Sequence, residues 1–131
     1  MFKRIALASI ALLFAFAFST VRTQAQGETF LGDAHVDGGQ DHDSIHVGKH
    51  DGRFRAIQLR VEGGEIFFER VVVHFHDGSH EELVIRDRIP SGGATRAIDL
   101  PGNRRVIESV ELWYGKGRWE HRPKVVLFGI R

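Results

Sequence analysis

Cysteine is absent from this 131-residue chain, and proline occurs only three times. The first absence removes disulfide frameworks, thiolate zinc sites and cysteine nucleophiles together. Neither sign of charge is in excess: 18 Lys+Arg stand against 17 Asp+Glu, a formal +1. A nucleic-acid binder normally shows its basic patch in that balance, so no nucleic-acid partner is expected. Helix patterns are nearly missing too. No stretch of a dozen residues repeats apolar positions at three and four, and 15 Gly interrupt the chain too often for long helices. The common catalytic signatures are also lacking. There is no Gly-x-Ser-x-Gly elbow, no phosphate loop ending in Lys-Ser/Thr, no dinucleotide fingerprint and no HExxH pair. An apolar fraction of 42% argues against disorder. What remains is a small globular domain that is not expected to be an enzyme.

The first 25 residues differ from the rest. Lys3 and Arg4 precede Ile5 to Phe18, fourteen residues without a charge, and a more polar stretch ends at Thr23-Gln24-Ala25. Basic start, apolar run and small residue at the cut are the three parts of a secretory signal peptide. A membrane anchor needs about 20 apolar residues, and this run stops short at Ser19 and Thr20. The expectation is export, periplasmic or secreted, with no stable membrane span after cleavage. Residues 1–25 form the leader and residues 26–131 one domain. Lys3, Arg4 and Arg22 leave with the leader, so the mature chain carries 15 basic against 17 acidic residues, net −2.

Within 26–131 the period is two. Ile57, Leu59 and Val61 alternate with Gln58, Arg60 and Glu62; Val71, Val73 and Phe75 share one face. Ile45 and Val47, Leu83 and Ile85, Ile98 and Leu100, and Val110 and Leu112 repeat the pattern, and Val125 to Ile130 is almost wholly apolar. With a first strand near Phe30 to Val36, Gly-containing turns separate about eight short strands. This spacing predicts an all-β fold, an antiparallel two-sheet β-sandwich, with a closed β-barrel as the alternative. The hairpin around Asp77-Gly78 can be read more closely. A three-residue loop, His76-Asp77-Gly78, pairs Val71 with Leu83 and puts both apolar sets on one side, with Gly78 as the left-handed residue. It also sets His74 opposite His80.

Four constellations are candidates for chemistry. His74, His76 and His80 gather near that hairpin and could bind zinc or copper through neutral imidazoles; otherwise no cofactor is expected. Asp37, Asp41 and Asp43 could offer oxygens to calcium, but their spacing lacks the closing Glu of a helix-flanked calcium loop. Turn chemistry is the plainer explanation. Arg96 shares the apolar face of Ile98 and Leu100 if alternation holds, while Asp99 falls on the other face. With Arg104-Arg105 this reads as a paired arginine at a sheet rim, ahead of an anion site. Trp113, Tyr114 and Trp119 lie near a Gly115 to Gly117 loop and could stack on sugar rings, a carbohydrate-binding reading.

A larger pattern joins these elements. Phe30-Leu31-Gly32 is followed by Asp41-x-Asp43-x-Ile45-x-Val47, Phe54-x-x-Ile57-Gln58-Leu59 and an apolar strand ending at Asp77-Gly78. Leu83-Val84-Ile85, Ile89 to Gly93, Thr95-Arg96-x-Ile98-x-Leu100, Arg105-x-Ile107-x-x-Val110 and Val125 to Gly129 complete it. This order resembles the YaaI-like family of short exported bacterial proteins of unknown function. The resemblance implies a short all-β periplasmic or secreted protein and carries no catalytic residues; the histidine trio is not part of it. The leading expectation is therefore a non-enzymatic module that binds an envelope component or a small ligand.

Overall fold

The computed structural model describes residues 28–36, 42–115 and 122–131. The expected leader, Asp37, Asp41 and Trp119 lie outside the described residues. Ten strands follow in order: β1 Glu28–His35, β2 His42–His46, β3 Arg53–Phe54, β4 Ala56–Glu62, β5 Ile66–Phe75, β6 His80–Leu83, β7 Arg88–Ile89, β8 Ile98–Asp99, β9 Arg105–Tyr114 and β10 Lys124–Ile130. The eight expected strands are all present. β3 and β7 are additions of two residues each, too short to show an alternation. Apart from a 3-10 turn at Lys49–Asp51, the described residues hold no helix.

The strands form two antiparallel sheets, ordered β1-β10-β4-β8 and β2-β9-β5-β6, with β3 on β9 and β7 on β5. Neither sheet closes on itself, so the fold is a β-sandwich and not a barrel. One inner face presents Ile57, Leu59, Val61, Val125 and Leu127; the other presents Val71, Val73, Val110, Leu112 and Tyr114. All of these are fully buried, and with no disulfide available their removal from water supplies most of the stabilisation.

The hairpin adopts the expected register, Val71 with Leu83 and His74 with His80. Gly78 sits at φ +90°, where a Cβ is strained. Its N–H donates to the Phe75 carbonyl at 3.0 Å, and the Phe75 N–H donates to the Ser79 carbonyl at 2.9 Å. Asp77 accepts the Ser79 N–H at 2.9 Å, closing the loop with its own side chain.

Simple alternation breaks at two places between β5 and β9. The register shifts between Phe68 and Arg70, and again between His74 and Phe75. In the first, Glu69 is an extra residue on β5; in the second, Glu108 is extra on β9. Each bulge lets apolar residues on both of its sides face the core, and together they fix which side chains of the two long strands point outward.

Candidate functional site

The outer face of the β2-β9-β5-β6 sheet carries the chemistry. Because Val110, Leu112 and Tyr114 point inward, Glu111 and Trp113 between them must point out. Neighbouring strands add side chains in rows. Ser44, Glu111 and Val72 occupy one row, and His42, Trp113 and Arg70 the next.

Glu111 sits between two histidines. The His74 Nε2 donates to its Oε1 at 2.6 Å and the His42 Nε2 to its Oε2 at 3.0 Å. An ionised carboxylate only accepts, so both rings carry their hydrogen on Nε2 in this arrangement. The hydrogen bond from His74 is the main reason the Glu111 carboxyl lies below the usual carboxylate range; the bond from His42 adds to it, while desolvation acts against both. The next row is aromatic. His42 stacks on Trp113 with ring centroids 4.5 Å apart, and the Arg70 guanidinium lies 4.5 Å from the indole centroid. Arg70 also pairs with Glu82 at 3.2 Å. His42 therefore belongs to both rows and locks them together.

The remaining predicted residues are placed as follows. His74 and His80 lie opposite one another with ring centroids 5.7 Å apart, but His74 is already engaged by Glu111 and His76 belongs to the loop. Among the described residues no three His, Asp or Glu side chains are arranged to hold a metal ion. The trio His74, His76 and His80 is thus not assembled as a ligand set. Tyr114 is removed from the stacking group: it is fully buried, and its hydroxyl donates to Asp43 at 2.7 Å. That bond also gives Asp43 a structural partner. Trp113 does face outward and is half-buried, with His42 and Arg70 packed against it from the strands on either side. Arg96 is exposed and lies before β8, so the alternation that put it inward does not extend that far. Arg105 is the paired rim arginine: it donates to Asp77 at 3.1 Å, Ser79 at 2.8 Å and the Pro101 carbonyl at 2.8 Å.

The sequence reading missed Glu111, His42 and Arg70 as one group. A signal for Glu111 was present, since a residue flanked by Val110 and Leu112 must share the outer face of β9. Nothing local revealed that β9 lies between β2 and β5. His42 and Glu111 are 69 positions apart, and only the sheet order brings them together.

The family description "Domain of unknown function (DUF2541)" matches residues 7–129. The chain belongs to this family. No curated protein matches the chain, and no solved structure does. Membership of DUF2541 thus agrees with the expected family of unknown function and assigns no chemistry to any residue.

Proposed function

We propose that this DUF2541 protein is an exported, non-enzymatic binding module that meets a partner through the outer face of the β2-β9-β5-β6 sheet. One observation carries the reading: a tryptophan is displayed on that face, held rigid between Arg70 and His42. Trp and Arg are enriched at the centres of protein interfaces, where most of the binding energy concentrates. Val84, the residue after β6, is an exposed apolar side chain at the end of the edge strand of that sheet, 79% exposed.

The non-enzymatic reading rests on the missing catalytic signatures of the sequence, and the two carboxylates most engaged by hydrogen bonds are not poised as acid–base groups. A general acid or base works best with a pKa near the operating pH. Glu111 and Asp77 are both shifted the other way, below the ordinary carboxylate range. Export rests on the basic and apolar layout of residues 1–25, and the YaaI-like resemblance agrees with it.

The test has three arms. Expressed with its own leader, the protein should fractionate with the exported proteins. Immobilised mature protein should retain an envelope component that the Trp113→Ser and Arg70→Ala variants release, while their melting curves stay cooperative. Retention of the same components by the variants would refute the surface assignment. Turnover in a hydrolase screen, abolished by a single carboxylate or His substitution, would refute the non-enzymatic reading.

A further inference from the structure

A second polar site lies at one end of the sandwich, away from the Trp113 surface. There β3, the β5–β6 loop and the start of β9 enclose a cleft of about 310 Å³, lined by Arg53, Phe75, His76, Asp77, Arg105 and Val106. The volume is at the lower end of the range for small-molecule sites. Its walls are fixed by backbone pairing. Arg53 is opposite Val106 and Phe54 opposite Arg105, and the His76 N–H donates to the Val106 carbonyl at 3.0 Å.

The charge inside is unevenly satisfied. Asp77 is the one acid in the lining, and both its oxygens are engaged: Oδ1 by the Ser79 N–H and hydroxyl, Oδ2 by Arg105. Arg105 is held in turn by Ser79 and the Pro101 carbonyl, and its guanidinium lies 3.8 Å from the Phe75 ring centroid. It is a fixed cation already neutralised by Asp77. Arg53 has no such arrangement. Neither its guanidinium nor the His76 imidazole has a hydrogen-bond or ion-pair partner among the described residues, and both line the cleft. The cleft therefore offers an unused guanidinium fork and an imidazole beside a preordered arginine.

We propose that this cleft binds a small oxyanion, a carboxylate or phosphate group gripped by Arg53 and assisted by His76. A planar guanidinium presents paired N–H donors whose spacing matches two oxygens of such a group. The rigid Arg105–Asp77–Ser79 cluster shapes the wall and lowers the cost of ordering. This inference stands on residues other than those of the sheet face.

Titration of the mature protein with inorganic phosphate and, separately, with succinate, followed by amide chemical shifts, tests it. Saturable shifts should appear at Arg53, His76 and Val106, and the probe that binds more tightly identifies the oxyanion. Arg53→Ala should weaken binding by about tenfold or more, in line with loss of a charge-assisted bidentate contact. Arg70→Ala removes the same charge from the other site and should leave the affinity unchanged. Arg53 is exposed, so its loss leaves the core intact. Absence of saturation with both probes, or equal weakening by Arg53→Ala and Arg70→Ala, would overturn the proposal. Neither result touches the assignment of the Trp113 surface.

Discussion

Replacing Glu111 by Gln is the most direct probe of the sheet-face network. The amide keeps the size of the side chain but removes its charge and one of its two accepting oxygens. One histidine would then meet a carbonyl and the other an NH2 group, which donates and cannot accept the His Nε2–H. Hydrogen bonds to a charged group contribute about 1.5–3 kcal/mol each when buried. The Glu111 side chain is 27% exposed and the His42 side chain 41%, so solvent screening reduces the His42 contribution most. A net loss of about 1–2 kcal/mol is expected, which for a domain of this size lowers Tm by about 5–10 °C. The dependence on pH has a definite sign. Because the folded-state pKa of Glu111 is lowered, its stabilisation is complete above the ordinary carboxylate range and is lost as pH falls through the lowered folded value. Melting curves of wild type and Glu111→Gln should therefore be well separated at neutral pH and converge in acid. Coincident melting at neutral pH, or a gap that persists undiminished once pH has fallen below the lowered Glu111 value, would refute the account of Glu111 as a stabilising centre.

Other substitutions separate the remaining forces. Gly129→Ala would set a Cβ 2.6 Å from the Phe54 ring, and Phe54 is fully buried; overpacking should cost about 1–3 kcal/mol in a denaturant titration. Gly78→Ala meets nothing within 4 Å but keeps φ at +90°, so its cost, about 1 kcal/mol, should reflect backbone strain alone. Tyr114→Phe leaves the packing and removes the bond to Asp43; chemical denaturation should register a loss of about 1–2 kcal/mol.

Much of the core was legible because alternation is a local property. Ile57, Leu59 and Val61, or Val71 and Val73, face inward for the same reason in the sequence and in the fold: successive strand residues point to opposite sides. The bulges also left a trace. Spacing between buried residues widens from two to three between Phe68 and Val71 and between Ile107 and Val110, each marking an extra residue. Strict alternation carried two residues beyond Leu112 puts Tyr114 inside, a step that its grouping with Trp113 as a stacking residue does not take. The network on the outer face left no comparable trace. A polar residue between apolar ones shows only that it faces out, not which residues stand beside it.

The sequence by itself determined the all-β class, the apolar stripes and the His76-Asp77-Gly78 hairpin with its register. Each depends on residues within about a dozen positions, where a pleat or a turn leaves one low-energy choice. The tertiary structure alone decided that β9 runs between β2 and β5, which joins Glu111 to His42 and His74 and seats Trp113 between His42 and Arg70. It also decided that β3 meets the start of β9, which brings Arg53 to the cleft containing Arg105 and His76. Sheet order of this kind is settled by the fit of two whole inner faces around one core, a property no single strand encodes.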